Sequence, residues 1–467
     1  MADPEATAAN AAEVAPPQAE DLLGLSAERA RAIREALDGD APLAVTGLVR
    51  DLHYAEVADL LEQLDSERRK KLVEILRPDF TPEILPELDE TVRDEVAETL
   101  GIEALARSIA RLESDDALTL ISTLSEARQR QVLQAIPAAL RGLLEEGLKF
   151  PEDSAGRLMQ RDFVAVPTFW TVGEVIDYMR EADDLPHDFT DLFVVDPRHR
   201  LVGKVPLDRL LRTKRPVPIA QLMVPDVVSV PVGMDQEEVA FIFAQHDFLS
   251  APVVDSANRL IGVITIDDIV DVIRKEAAED LMRLGGVAGD DLYEATLDTT
   301  KARFKWLFVN LVTAVIASLV IGMFEATIQQ IVVLAVLMPI VASMGGNAGT
   351  QTLTVVVRGL AMKEVTPANS LRVLAKEVLV GGFNGVLFAV IVGGIAWGWS
   401  GSIWVGLVMA AAMVANMVAA GFAGTAIPVG LARIGVDPAI ASSVFLTTVT
   451  DVIGFVAFLG LAAWLLL

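Results

Sequence analysis

The chain has 467 residues and carries 38 Lys and Arg against 64 Asp and Glu, a formal net charge of −26. Residues 1–300 hold 30 basic and 59 acidic side chains, whereas residues 301–467 hold eight and five and are strongly apolar. This distribution excludes a single soluble globule. An acidic first part also disfavours nucleic-acid binding, because phosphate would be repelled. The chain has no cysteine, which excludes disulfides, thiolate zinc sites and cysteine nucleophiles.

The first 300 residues begin with a tail and a helical region. Residues 1–21 are rich in Ala, Pro and Glu and lack the basic segment and apolar core of a secretory signal, so we expect a disordered tail. Residues 22–150 show apolar side chains at helical spacing, as at Val57, Leu60 and Leu64. This pattern predicts an acidic, all-α superhelical N-domain.

Residues 151–274 contain an internal repeat, with halves at about 151–215 and 216–274. The matched segments are Leu158-Met159 with Leu222-Met223, Val166-Pro167 with Val230-Pro231, and Val194-Val195-Asp196 with Val253-Val254-Asp255. Each copy is predicted to form a strand, a helix, two short strands and a closing helix. The α/β pattern resembles a tandem pair of CBS (cystathionine β-synthase) domains, a regulatory module that often binds nucleotides or ions.

The second copy contains a segment that resembles a nucleotide contact. Thr265 and Asp268 match the Ser/Thr-x-x-Asp motif with which CBS domains hold phosphate and ribose, which implies a possible ATP site. The first copy has Val205-Pro-Leu-Asp208 and lacks the hydroxyl, so at most one such cleft is expected. An equally good interpretation is that Asp267 caps the helix that begins there.

A connecting helix is predicted at 275–303, followed by a transmembrane domain of five helices at 304–467. Its apolar segments lie at about 304–324, 331–357, 373–399, 403–431 and 438–466. Each is long enough to cross a hydrocarbon layer of about 30 Å. If the N-terminus is cytoplasmic, all eight basic residues of this part fall on the inner side. We therefore expect a multi-pass membrane protein with the C-terminus outside.

One carboxylate lies deep in the last apolar segment. Asp451 follows Pro438 by about 20 Å of helix, and burying a charge there costs several kcal/mol. Such groups usually face a cavity, an ion path or a partner. Ser443 and Thr447 precede Asp451 at helical spacing and predict a polar stripe. The structural alternative is a protonated Asp451 that hydrogen-bonds a neighbouring span.

The second apolar segment has a polar, glycine-rich interruption, Gly345-Gly-Asn-Ala-Gly-Thr-Gln351. We expect it to loosen the helix and to present oxygens, above all from Asn347, along an ion path. Mg²⁺ takes hard oxygen ligands and releases its waters reluctantly, so few carboxylates are needed to hold it. All four histidines precede residue 301, which disfavours softer metals in the membrane.

Together these features resemble the MgtE family of magnesium channels or transporters, over essentially the whole chain after residue 20. The resemblance rests on the domain order, the 345–351 segment, Gly435-Val-Asp-Pro-Ala439 and Thr450-Asp451-Val. It implies a homodimer in a bacterial inner (cell) membrane, with a pore between the spans of two subunits. The predicted pore residues are Asp451, Thr447, Ser443 and Asn347.

The resemblance also implies that cytosolic Mg²⁺ closes the pore by binding to acidic groups. The implied ligands, besides Asp451 itself, are Asp235, Glu237, Asp247, Asp268, Asp271, Glu276, Glu279, Asp280 and Asp437. Asp437 equally fits the N-cap position before Pro438. Two positions depart from the family pattern, because Arg107 replaces an N-domain carboxylate and Ser443 replaces an asparagine.

The sequence therefore predicts Mg²⁺ uptake and no enzymatic activity. One alternative is a transporter of another divalent ion, Co²⁺, Mn²⁺ or Ni²⁺, on the same scaffold, since hard ligands discriminate weakly. Another is a membrane CBS sensor that transports nothing. An intramembrane aspartyl protease is disfavoured, because it needs two aspartates in the bilayer and each chain supplies Asp451 alone.

Overall fold

A computed structural model describes residues 24–182, 185–186, 188–287 and 296–467. The chain divides into two compact units, Met1–Val272 and Ile273–Leu467. The predicted tail at 1–21 lies outside the described residues.

The first unit begins with the predicted all-α N-domain, which is confirmed. Polar side chains start several of its helices, as where Ser26 accepts a hydrogen bond from the Arg29 amide and Asp65 from the Arg68 amide. Apolar stripes pair the helices, with Leu60 and Leu61 fully buried. The helices are α1 (Ala27–Asp38), α2 (Pro42–Val49), α3 (Tyr54–Gln63), α4 (Ser66–Leu76), α5 (Ile84–Glu87), α6 (Glu90–Leu100), α7 (Ile102–Ile109), α8 (Ser114–Thr123), α9 (Glu126–Ala135) and α10 (Ala138–Gly147).

The two CBS copies are also confirmed, as two small three-stranded sheets with the same topology. In each sheet the first strand pairs parallel to the second and the second antiparallel to the third, with a register shift at Val194/Val195 and again at Val253/Val254. The first copy comprises α11 (Ala155–Leu158), β1 (Ala165–Pro167), α12 (Val172–Glu181), β2 (Asp191–Val195), β3 (Leu201–Pro206) and α13 (Leu207–Leu211). The second comprises α14 (Ile219–Leu222), β4 (Val230–Pro231), α15 (Gln236–His246), β5 (Ser250–Val254), β6 (Leu260–Thr265) and α16 (Ile266–Leu284).

The last of these helices does more than close the repeat. α16 is continuous from Ile266 to Leu284, so the connecting helix predicted from residue 275 is the second half of this helix. The absence of Gly and Pro between these residues allows the helix to run on. Part of the predicted connection, 288–295, lies outside the described residues. The boundaries proposed for the domains stay predictions.

The second unit contains the five predicted membrane helices. Five described helices are long and apolar enough to cross a membrane. The first begins at Thr296, eight residues before the predicted segment and within the predicted connecting helix, whereas the other four begin and end within five residues of the predicted segments. This length and composition make the chain a multi-pass membrane protein. The elements are α17 (Thr296–Gly322), the short α18 (Glu325–Gln330), α19 (Val333–Ala361), α20 (Ser370–Ser400), α21 (Ile403–Arg433) and α22 (Pro438–Leu466).

Glycines set the spacing between α20 and α21. A Cβ on Gly385 would lie 3.0 Å from the Val414 Cα, and a Cβ on Gly406 would lie 2.7 Å from the Gly393 carbonyl oxygen. The two backbones therefore touch, as is common where small residues line a helix interface in a membrane. In contrast, α17 buries only Ala317 among its residues. The core of the unit thus lies between α19, α20, α21 and α22.

Candidate functional site

The predicted polar stripe lies on one face of α22. The helix starts at Asp437, whose Oδ1 accepts a hydrogen bond of 2.7 Å from the Ala439 amide, so the N-cap interpretation is right. Thr447 is exposed and its hydroxyl donates to the Ser443 carbonyl oxygen at 2.9 Å, which shows that these residues stack along the helix. Asp451 is half-buried one turn further on.

Asp451 has no partner within the part of the chain that the structure describes. No hydrogen bond or ion pair joins its carboxylate to another of those residues. If Asp451 were protonated and purely structural, it would hydrogen-bond a neighbouring span, and the described residues show no such bond. A half-buried carboxylate without a protein partner needs water, a proton or a cation.

The glycine-rich segment of α19 differs from the expectation. It is helical throughout, because Gly345 and Gly349 are used to pack closely against neighbouring helices rather than to interrupt the span. Asn347 lies on the opposite, exposed face of α19. Other polar side chains share that exposed face, namely Ser343, Thr350, Gln351 and Thr354.

Two contacts place this segment at the depth of Asp451. A Cβ on Gly349 would lie 2.8 Å from Leu446 Cδ1, and a Cβ on Gly454 would lie 3.2 Å from Val341 Cγ1. α19 and α22 thus run antiparallel, and Asp451 lies between the two contacts, level with the start of the glycine-rich segment. The polar stripe of α22 and the polar, glycine-rich segment of α19, both identified from the sequence, therefore lie at the same level along the two helices.

A second cluster of carboxylates lies in the first unit, between the N-domain and the second CBS copy. Asp115 and Asp116 in the first turn of α8 face Asp268 in the first turn of α16. Thr265 donates its hydroxyl proton to Asp268 Oδ2 at 2.9 Å. Asp115 is only 5% exposed, and its Oδ1 has no hydrogen-bond partner among the described residues. We call Asp115, Asp116 and Asp268 the junction cluster.

Burial and mutual repulsion shift the titration of this cluster. Burial first, and then the charge of Asp268, raise the pKa of Asp116 to about 7. Burial also raises the pKa of Asp268 to about 6 and that of Asp115 well above its ordinary value. At neutral pH the carboxyl groups of the cluster are therefore either protonated, or ionised and mutually repulsive. A divalent cation bound among them would relieve the repulsion.

The described residues contain no group of three or more His, Asp or Glu side chains arranged to hold a metal ion directly. A hydrated Mg²⁺ ion, however, is usually held through its waters by one or two carboxylates. The junction cluster is suited to that outer mode of binding.

Other predicted sensor residues are not gathered at one point. Asp235 caps α15 by accepting a hydrogen bond of 2.9 Å from the Glu237 amide. Asp247 lies at the other end of this 11-residue helix, about 18 Å away along the axis, with left-handed backbone angles. Further along, Asp271 is exposed and Glu276 is partly exposed.

A third cluster joins the end of α16 to the start of α22. The guanidinium of Arg283 bonds the carboxylates of Glu279 and Asp437. Burial first, and then the charge of Asp437, raise the pKa of the nearby Asp280, although Arg283 partly offsets this. The three predicted ligands thus lie together, but the cation between them is an arginine.

The cleft of the CBS pair contains a cavity of about 210 Å³ beside Thr265. Its lining includes no Lys or Arg among the described residues. Asp268, which was predicted to join Thr265 in holding a nucleotide, turns to Asp115 and does not line it. Among the described residues the lining thus offers no cation to a free polyphosphate, and the ATP site stays a prediction. The carboxylates that line the cavity are Glu113, Asp162, Asp188, Asp191 and Asp267.

Three functional features escaped the sequence reasoning. Asp115 and Asp116 look like ordinary acidic residues at a helix start, where they suit the helix dipole. Arg283 lies within the predicted connecting helix, and its partner Asp437 is 154 residues away. Asn416, within α21, carried a signal in its amide, which is rare in so apolar a segment.

Comparisons with known proteins agree with the order of the domains along the chain. Residues 338–461 match a family described as a divalent cation transporter, 52–153 match the MgtE intracellular N domain, and 155–215 and 219–275 match CBS domains. The chain is 31% identical over 440 residues to the magnesium transporter MgtE of Thermus thermophilus, covering 93% of this chain and 98% of the relative. Identity to the Bacillus subtilis magnesium transporter MgtE is 29% over 420 residues, covering 89% and 92%. The solved cytosolic domain of the Mg²⁺ channel MgtE in complex with ATP is 30% identical, covers 52% of this chain and 99% of that chain, and gives a TM-score of 0.48.

Proposed function

Since the chain belongs to the MgtE family of divalent cation transporters, we propose that it carries Mg²⁺ across a membrane along a path that passes Asp451. The observation that supports this most is the half-buried carboxylate on the polar face of α22, which has no partner among the described residues. An ionised group at this depth costs several kcal/mol unless it meets water or a cation. A passing hydrated cation meets that requirement.

The path is proposed to lie between two copies of the chain. The polar side chains of α19 point away from the core of their own unit, and α17 buries almost nothing in it. Two copies related by a two-fold axis would bring two Asp451 carboxylates to one path and match the charge of one Mg²⁺ ion. Few carboxylates suffice for an ion that keeps most of its water.

The junction cluster is proposed to sense cytosolic Mg²⁺. Repulsion within the cluster favours separation of the N-domain from the second CBS copy when Mg²⁺ is scarce. Binding of the ion removes that repulsion and favours the compact arrangement, which is a shift by differential affinity. Because α16 is continuous from Asp268 to Arg283, a change at its first turn reaches the start of α22. In this proposal the N-terminus is cytoplasmic and the C-terminus is outside.

In the third cluster, the Arg283 guanidinium competes with Mg²⁺ for the carboxylates of Glu279 and Asp437. Mg²⁺ can bind Asp437 and Glu279 there only if the guanidinium leaves them, since one carboxylate oxygen of each is already bonded. This side chain is therefore proposed to set a lower limit on the Mg²⁺ concentration at which the site fills.

Uptake by proteoliposomes tests the function directly. The full chain should carry Mg²⁺ into vesicles, and Asp451→Ala should lower the initial rate at least tenfold, a difference of about 1.4 kcal/mol in the barrier to passage of the ion. Glu364→Gln, which removes an exposed carboxylate at a loop, serves as the matched control and should transport normally. Normal transport by Asp451→Ala would remove this residue from the path. Uptake of Co²⁺, Mn²⁺ or Ni²⁺ that Mg²⁺ does not inhibit would favour another cargo.

A further inference from the structure

A single amide lies in the middle of the membrane unit. Asn416 of α21 is 0% exposed, and its Nδ2 donates a hydrogen bond of 2.8 Å to the Val341 carbonyl oxygen of α19. Its Oδ1 has no hydrogen-bond partner among the described residues. The residue therefore joins α21 to α19 through one half of its amide only.

Two glycines make room for this amide. A Cβ on Gly345 would overlap the Asn416 amide, and a Cβ on Gly454 would lie 2.7 Å from Nδ2. Gly345 belongs to α19 and Gly454 to α22, so the amide is clamped between the two helices that carry the polar path residues. Real Cβ contacts this short do not occur in packed interiors, so both positions require glycine while Asn416 is present.

The clamp fixes how α19 is rotated about its axis. Gly345 and Asn347 are two residues apart, which is about 200° around a helix. Holding Gly345 against Asn416 therefore turns Asn347 to the exposed face, where the structure places it. On α22, Gly454 is one turn after Asp451, so the same contact limits the rotation of the segment that carries the carboxylate.

We propose that Asn416 is a positioning residue of the ion path, whose amide holds α19 and α22 in the rotation that directs Asn347 and Asp451 to the passing ion. The inference rests on the proposed function, because it needs Asp451 to lie on the path. In this proposal α21 does not line the ion path with polar side chains. It sets the geometry of the path by positioning α19 and α22.

The unpaired oxygen supports a role beyond packing. An unpaired buried acceptor destabilises a folded protein, and an apolar side chain of similar shape avoids that loss. A leucine at 416 would fill nearly the same space without any polar atom. Because the hydrogen bond of Nδ2 only offsets this loss, the amide adds little net stability, and a role in function accounts better for its presence.

The test compares Asn416→Leu with the original chain in proteoliposomes. We expect the Mg²⁺ concentration for half-maximal uptake to rise at least tenfold per folded protein, and the ratio of Mg²⁺ to Co²⁺ uptake to fall. The melting temperature should stay within about 3 °C, since loss of one hydrogen bond is offset by removal of the unpaired oxygen. Met409→Leu, a volume-conserving change at another buried position of α21, is the control and should alter neither uptake quantity.

Unchanged uptake by Asn416→Leu, or a lowered melting temperature with normal uptake per folded protein, would overturn the positioning role. A second comparison does not depend on that variant. Gly345→Ala should lose most transport, and adding Asn416→Ala should recover part of it by making room for the new methyl group; no recovery would also overturn the role. Asp451→Asn is measured alongside. Its normal transport would remove Asp451 from the path and so refute that part of the proposed function, whereas an inactive Asp451→Asn with a normal Asn416→Leu refutes only the inference.

Discussion

Neutralising one carboxylate of the junction cluster should stabilise the ion-free protein and should reduce the further stabilisation that Mg²⁺ gives. In the ion-free protein the pKa of Asp116 is raised from 3.8 to about 7. Each pKa unit corresponds to about 1.4 kcal/mol, so above pH 7 the folded junction is disfavoured by about 4 kcal/mol at this residue. Asp116→Asn removes this penalty and should stabilise the ion-free junction.

The direction in which the stability of the junction changes with pH follows from the number of protons bound by the folded and the opened chain. Because the folded junction has the higher pKa values, it binds more protons than the opened chain between about pH 4 and pH 7. Its ion-free stability therefore falls as the pH rises through this window. At pH 8 the variant should gain most of the 4 kcal/mol, whereas at pH 4 it should gain almost nothing.

Hydrogen exchange of the α8 amides in the full chain measures this opening locally, without requiring the whole protein to unfold in one step. At pH 8 without Mg²⁺, Asp116→Asn should slow the exchange of these amides at least thirtyfold, which is about 2 kcal/mol. With Mg²⁺ at about 100 times its dissociation constant, the original chain should gain about 2.7 kcal/mol of protection and the variant much less. Asp79→Asn, at an exposed position, is the control. Faster exchange in the ion-free variant, or full Mg²⁺ protection in it, would refute the reasoning.

Three further outcomes are expected. Inhibition of uptake by internal Mg²⁺ should weaken about tenfold between pH 7 and pH 6, where Asp116 takes up a proton, and up to about a hundredfold per pH unit below pH 6, where the ion must displace protons from both Asp116 and Asp268; pH-independent inhibition measured in vesicles would contradict this. Arg283→Gln should lower the internal Mg²⁺ concentration that half-inhibits uptake at least threefold, since the competing guanidinium is gone, and a higher concentration would show that Arg283 assists binding. Asp268→Asn should reduce inhibition while leaving uptake at low internal Mg²⁺ unchanged, and a loss of uptake itself would assign the residue to folding.

The fold followed from the sequence where the signal was local. The five apolar segments were long enough to identify as spans, and the CBS copies repeated the same strand residues, such as Val194 and Val253. The polar stripe on α22 was visible because Ser443, Thr447 and Asp451 lie at helical spacing. These features depend on neighbours within a few residues, which periodicity reports directly.

The site was predictable only in part, because its contacts join distant residues. Asp115 meets Asp268 and Arg283 meets Asp437 across about 150 positions, and neither pairing leaves a trace in local spacing. The glycines of α19 were expected to loosen the helix, since glycine disfavours helices in isolation. In the structure, the missing side chain of Gly345 instead leaves room for Asn416. This contact could not be predicted from the α19 sequence alone, because Asn416 belongs to α21.

The close approach of α20 and α21 divides the spans by their freedom to move. With carbonyl oxygens of one helix resting on glycine Cα atoms of the other, sliding or spreading this pair would break many tight contacts at once. The pair is therefore rigid, and the least costly displacement belongs to α17, which buries little in the unit. Spectroscopic labels placed across α20 and α21 should report one fixed distance through the whole transport cycle, whereas labels on α17 and α22 should report more than one.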